Sequence, residues 1–134
     1  MKTRRFSIIM LVACMTLFVA CKDDNATDYR DTWVGTYVGD TQYHYSVNGE
    51  ANVVDTIYVN DNLSVAKIGD DNLIIGFRSQ SYQVNCKKDG AFSHDNYPHG
   101  GCQGQCYGDS VYFMSEESEQ GRSATYTFSG RKIK

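Results

Sequence analysis

Residues 33–47 read WVGTYVGDTQYHYSV, and the alternation within them decides the fold. Trp33, Gly35, Tyr37, Gly39, Thr41, Tyr43, Tyr45 and Val47 share one parity, and Val34, Thr36, Val38, Asp40, Gln42, His44 and Ser46 share the other. Successive side chains of a β-strand point to opposite faces, so one face here is aromatic while the other turns polar, as a half-buried strand requires. The glycines predict a bend or a close backbone approach, with a break near Gly39-Asp40. Asn48-Gly49 then supplies the dipeptide that two-residue hairpin turns favour. An amphipathic helix would repeat every 3.6 residues instead, and the chain beyond residue 31 has no long stretch of that kind.

The same rhythm continues outward from this strand. ANVVDTIYVN (51–60) predicts a second strand, Asp61-Asn62 a turn, and LSVAKI (63–68) a third strand. Gly69-Asp70-Asp71-Asn72 turns the chain into LIIGFR (73–78), where Leu73, Ile75 and Phe77 alternate. SYQVNC (81–86) sets Tyr82, Val84 and Cys86 on one face, and a brief strand follows over 91–93. DSVYFMS (109–115) and ATYTFSGRK (124–132) are expected to pair across residues 116–121. The expected fold is all-β, a small antiparallel meander of about eight strands closing as a barrel or a sandwich. Residues 93–106, SHDNYPHGGCQGQC, carry the sole proline and three glycines after it. They read as a long rim loop, a kind of segment that is often functional.

The N-terminus has a different character. Lys2, Arg4 and Arg5 precede an uncharged stretch from Phe6 to Ala20. A permanent membrane span needs roughly 20 apolar residues, and the basic start, apolar middle and small Ala20 read instead as a cleaved signal peptide over residues 1–20. Leu17-Phe18-Val19-Ala20-Cys21 resembles a bacterial lipobox. That resemblance implies a diacylglycerol on the Cys21 thiol, cleavage before it, and acylation of the new amine with a palmitate-type chain. Lys22-Asp23-Asp24 resembles the export signal of surface lipoproteins in Bacteroidetes-type bacteria. The implied address is the outer leaflet of the outer membrane, facing the exterior, with the bilayer as partner through the acyl anchor. Residues 21–31 are then the lipidated cysteine and a polar tether, and residues 32–134 a single β domain.

Charge and cysteine usage narrow the partners. The chain has 13 basic and 16 acidic residues, a formal charge of −3, and three of the bases lie in the signal segment, so the mature chain is more acidic still. Nucleic acid, which needs a basic footprint, is not an expected partner. Of five cysteines, Cys14 leaves with the signal and Cys21 is lipidated, which leaves Cys86, Cys102 and Cys106. An oxidising compartment permits one disulfide and one free thiol. All three pairings are open, with Cys86 to Cys102 or to Cys106 favoured for the longer loop it closes.

The candidate chemistry is sparse. His94, His99, Cys102 and Cys106 are of ligand type and share one segment, so a metal or redox site is conceivable. A disulfide-pinned loop with solvated histidines explains the same residues more simply, and no metal or cofactor is expected. His44 is isolated on a polar face, no nucleophile motif accompanies it, and no enzymatic activity is expected. Glu116, Glu117 and Glu119 read as a solvated turn. Ten tyrosines and Trp33 either form the core or line a surface that stacks on a sugar or an apolar ligand. Asp55-Thr56-Ile57 and Asp109-Ser110-Val111 resemble O-glycosylation sites of exported Bacteroidetes-type proteins, with Thr56 and Ser110 as acceptors.

Trp33-Val34-Gly35-Thr36-Tyr37 resembles the opening strand of lipocalin-like (calycin) barrels. The resemblance implies up-and-down strands around a ligand cavity, with an arginine near the last strand lying over the opening aromatic; Arg131 has the matching position. The candidate ligand-binding residues are accordingly Trp33, Tyr37, Tyr43, Tyr45, Tyr126 and Arg131. The expected function is a surface-displayed binding or interaction module for a small apolar or sugar ligand or a protein. Its rivals are an accessory lipoprotein that assembles with an outer-membrane complex, and a metal-dependent activity at the His/Cys segment.

Overall fold

A computed structural model describes residues 27–47, 50–95 and 99–134. Cys21, Lys22, Asp23 and Asp24, the Asn48-Gly49 dipeptide and Pro98 lie outside those residues. Eight strands follow in order: β1 (Gly35–Val47), β2 (Glu50–Ile68), β3 (Asn72–Phe77), β4 (Gln80–Cys86), β5 (Ala91–Asp95), β6 (Gly100–Tyr107), β7 (Ser110–Glu119) and β8 (Arg122–Lys132). Each pairs antiparallel with the next, and β8 returns to β1 without a break from Tyr37↔Lys132 to Val47↔Arg122. The meander is therefore a closed eight-stranded barrel and not a sandwich.

Two expectations fail, in opposite directions. Asp61-Asn62 is not a turn, because β2 runs through it as one strand from Glu50 to Ile68. Opposite Gly39 stands Asp61, yet opposite Thr41 stands Tyr58, so β2 carries one extra residue there. Asn60 absorbs it with φ 56°, a left-handed value that asparagine tolerates, and the result is a β-bulge instead of a reversal. In turn, the described part of residues 93–106 is not a loop, since β5 and β6 pair from Ala91↔Gln105 to Asp95↔Gly101. The glycines that suggested a loop are needed by the packing. A Cβ on Gly104 would collide with the Phe92 ring and with the Tyr112 carbonyl of the neighbouring strand.

The inward face of every strand fills one end of the barrel. Tyr37, Leu63, Leu73, Ile75, Val84, Phe113 and Phe128 are fully buried there. Phe77 packs on Phe113 and Phe128, with ring centroids 5.2 and 5.8 Å away. Each such side chain contributes about 1.5–3 kcal/mol by leaving water. Outward positions such as Gln42, Ser64, Gln83, Asn85 and Gln103 are polar and exposed, which is the alternation a water-facing exterior needs.

A 3-10 turn, Tyr29–Thr32, closes the filled end. Asp28 caps it, accepting from the Arg30 backbone N–H at 3.0 Å. Arg30 is buried and holds both Asp28 oxygens, while its Nη1 donates to the carbonyls of Gly69 and Asn72 at 2.9 Å each. One guanidinium thus ties the chain entrance to the β2–β3 turn. The Tyr37 hydroxyl donates to the Trp33 carbonyl at 2.8 Å and fixes the step from turn to strand. The folded unit consequently begins ahead of Thr32, within the segment expected to be tether.

Candidate functional site: the tyrosine-lined mouth

The opposite end of the barrel is open, and its wall is uneven. β3 pairs with β2 only from Leu63 to Ile68, so among the described residues the outer edge of β2 from Val54 to Asn62 has no strand beside it. The β4–β5 seam closes over two rungs alone, Asn85↔Ser93 and Cys86↔Phe92. The tip between β3 and β4, near Arg78, is therefore a low lip below the taller wall formed by β6, β7, β8, β1 and β2.

Tyrosines line the inner side of that wall. Tyr43 lies 4.7 Å from Tyr126 and 6.4 Å from Tyr45, centroid to centroid, with interplanar angles of 33° and 20°. These three rings are half-buried, in contrast with the sealed core below them. Tyr58 joins from β2, because the bulge turns it to the same side as Thr41 and Tyr43. Arg78, on the low lip with φ 53°, lays its guanidinium 4.0 Å from the Tyr58 centroid and 5.4 Å from that of Tyr126. Asp61 holds the same guanidinium at 2.9 Å and accepts from the Thr41 hydroxyl at 2.8 Å.

The floor is polar at one point. Ser115, 1% exposed, stands between Cys102 and Tyr126 in the sheet. Its Oγ is within reach of the Tyr82 hydroxyl but forms no hydrogen bond of good geometry. One rung above it, Glu117 shares the inward parity and borders two hollows. One, about 390 Å³, lies at the open β4–β5 seam among Tyr82, Gln83, His94, His99 and Glu117. The other, about 460 Å³, lies among Tyr45, Glu117, Glu119, Arg122 and Ala124. Burial raises the pKa of Tyr43, Tyr82 and Tyr126, and the Glu117 carboxylate adds to each shift, so all three phenols stay protonated at neutral pH. A larger groove of about 530 Å³ runs on the outside of β5–β8 past Gln103, Met114 and Ser123, away from the tyrosines.

The residues expected to bind ligand separate into two groups. Tyr43, Tyr45 and Tyr126 meet at the mouth. Trp33 and Tyr37 are 6% and 0% exposed at the closed end and belong to the core. Arg131 is exposed on the barrel exterior, and its neighbour Lys132 makes the contact with the chain entrance, donating from Nζ to the Thr32 carbonyl at 3.0 Å. Tyr58 and Arg78 were not foreseen. Only the bulge and the cross-barrel reach of the lip bring them to the site, and neither is visible in a single strand's alternation.

The expected disulfide is absent: Cys86, Cys102 and Cys106 are buried free thiols. Cys102 and Cys106 lie four residues apart on one strand, roughly 13 Å by the strand rise. Cys86 sits on β4, across the whole of β5 from β6, so roughly 9–10 Å separates the backbones, beyond the 7 Å a bridge spans. Burial pushes the thiols up, to about 11 for Cys86 and Cys102 and about 12 for Cys106. His94 and His99 are exposed at the seam while the two β6 cysteines turn into the core, and among the described residues no three His, Cys, Asp or Glu side chains converge as metal ligands. His44 pairs with Asp55 at 2.8 Å on the exterior. Thr56 is half-buried on the mouth side of β2, and Ser110 starts β7 at the closed end. No family model, curated protein or solved structure matches the chain.

Proposed function

We propose that this protein is a non-catalytic binding module, carried on the outer surface of an outer membrane by an acyl chain on Cys21, which holds a small ligand in the barrel mouth. The observation that carries this reading is the contrast between the two ends. One end is sealed by a buried arginine and filled by apolar side chains, whereas the other leaves Tyr43, Tyr45, Tyr58 and Tyr126 part-exposed, with Tyr45 and Tyr82 bordering hollows of about 460 and 390 Å³. Half-exposed aromatic rings with polar groups between them are what small-molecule recognition uses. The lipocalin-like resemblance at residues 33–37 agrees with such a use, and the lipobox with such a location.

One observation favours a second reading, an accessory role in assembling an outer-membrane complex. The unpaired edge of β2 exposes Ile57 and Val59, at 67% and 68%, on the outward side. A bare strand edge with apolar side chains and no lysine or proline is a template for strand addition.

A ligand screen by thermal shift on the full chain, repeated with Tyr43→Ala and Ile57→Lys, separates the two. The mouth reading expects hits that Tyr43→Ala abolishes and Ile57→Lys leaves intact. No hits, together with co-purification of an outer-membrane protein that Ile57→Lys disrupts, would establish the accessory role instead. For location, protease added to intact cells should remove the protein, and full protection would refute surface display.

A further inference from the structure

The chain is acidic as a whole, yet its cations gather at the closed end. Three segments lie side by side there: the β4–β5 turn, the β6–β7 turn and the C-terminal residues. The Cys106 N–H donates to the Gly90 carbonyl at 3.0 Å, which sets the first beside the second. The Lys132 N–H donates to the Asp109 carbonyl at 2.7 Å, which sets the second beside the third. Lys87, Lys88, Arg131 and Lys134 are exposed along this arc, and among the described residues none of them forms an ion pair. The same segments hold two carboxylates, Asp89 and Asp109, and Asp89 accepts from the Ala91 N–H beside its own turn at 3.0 Å. Arg30 and Lys67, also at this end, are already paired with Asp28 and Asp31.

Among the unpaired cations stand two large side chains that the barrel leaves outside, Tyr107 at 68% and Ile133 at 56% exposed. Tyrosine concentrates at the boundary between lipid and water, and lysine or arginine stems reach from that depth to the headgroups. The mouth end has the contrary charge. Glu116, Glu117 and Glu119 are exposed on β7, with Arg122 as the cation of that tip. Anionic headgroups attract the first end and repel the second.

The chain also enters at the closed end. Thr27 is six residues after Cys21, and an extended chain spans at most about 3.5 Å per residue, so an acyl anchor on Cys21 keeps the entrance within roughly 21 Å of the bilayer. We propose that the arc of Lys87, Lys88, Tyr107, Arg131, Ile133 and Lys134 is a membrane-docking face that lies on the anionic headgroups of the bilayer. The barrel then stands on this side of its closed end, and its mouth opens away from the membrane. The proposal rests on the lipid-anchor reading.

Fluorescence quenching on the acylated full chain in vesicles tests it. Asp109→Cys and Glu119→Cys place a thiol at opposite ends of β7, roughly 30 Å apart by strand rise, and each removes one exposed carboxylate. The native thiols described in the barrel are buried, so a thiol-reactive fluorophore marks the new position. The vesicles contain phosphatidylglycerol and a lipid with a spin label on its headgroup. The fluorophore at position 109 should be quenched severalfold more than that at 119, and the difference should shrink as salt rises or when phosphatidylcholine replaces phosphatidylglycerol. Lys87→Glu combined with Lys88→Glu should lower the quenching at 109 about twofold. Tyr107→Ser should lower it as well, and Glu116→Gln should leave it unchanged. Circular dichroism verifies the fold of each variant. Equal quenching at the two positions, or stronger quenching at 119, would overturn the docking face, as would quenching at 109 that the lysine reversals leave intact. The mass of the Cys21 peptide decides the anchor separately. An unmodified Cys21 would remove the anchor and this proposal with it, whereas an acylated chain quenched at neither position would overturn the docking face alone.

Discussion

The Arg78 guanidinium is held from two sides, by the Tyr58 ring at 4.0 Å and by Asp61 Oδ2 at 2.9 Å. The contact joins the low β3–β4 lip to the unpaired upper half of β2, two parts of the wall with no backbone pairing between them. Its side chain is only about a third exposed. Arg78→Ala should therefore cost about 1 kcal/mol, from one cation–π contact and one partly screened ion pair. Arg78→Lys should recover only part of that loss, because an ammonium lacks the flat face that stacks on a ring. Urea denaturation midpoints of the three proteins measure the difference.

The cap at the closed end makes stability depend on acid. Hydrogen bonds from the Arg30 side chain and backbone hold the Asp28 carboxyl far below the usual carboxylate range. In the unfolded chain the same group protonates near about pH 3.9. The unfolded state binds the proton first, so the stabilisation is complete above that pH and is lost progressively as pH falls toward the folded value. Asp28→Asn should lower the thermal midpoint at pH 7, and the gap from the parent should close as pH drops below about 4. A constant gap down to pH 2 would mean that the cap's charge contributes nothing.

Phe77 is the junction of the aromatic core. It is 2% exposed and touches Phe113, Phe128 and Tyr126 with centroids within 6.0 Å. Phe77→Ala should cost about 3–5 kcal/mol, since three rings cannot close over the space of a fourth. Tyr126 would lose its support from below, so weaker ligand binding should accompany the loss of stability. Phe77→Leu, which keeps most of the volume, should lose far less.

The thiols should be silent in the native protein. With values raised to about 11 or 12 by burial, Cys86, Cys102 and Cys106 hold almost no thiolate at pH 8. A disulfide-exchange reagent should therefore label none of the three in minutes, and all three once guanidinium unfolds the chain. Reductant should leave the intact mass unchanged, and a gain of two mass units on reduction would reveal a bridge.

Much of the barrel was legible in the sequence. Leu73, Ile75 and Phe77 are buried in strict alternation, as are Val84 and Cys86, because a strand with one dry face leaves its period in the side chains. The strand number was right through compensation: β2 was read as two strands and β6 as none. Both misreadings come from residues that serve turns and strands alike. Asn60 takes its left-handed conformation in a bulge, and Gly104 yields its side-chain space to Phe92; an isolated sequence cannot distinguish these uses from a reversal of the chain. The site was half legible on the same grounds. Tyr43, Tyr45 and Tyr126 follow from parity within their strands, while Tyr58 depends on the register of β2 against β1 and Arg78 on the shortness of β3.

The extra residue in β2 also decides what kind of mouth this is. A β-strand reverses its two faces when its register slips by one position. With the bulge, the residues turned toward Tyr43 and its neighbours on the taller half of β2 are Tyr58, Thr56 and Val54. Counted by strict alternation from Asp61, the inward positions would instead be Val59, Ile57 and Asp55, with Tyr58 turned to solvent. The aromatic character of the taller half of β2 therefore depends on one irregularity of its backbone, and the same side chains in an unbroken strand would offer the mouth a largely aliphatic wall.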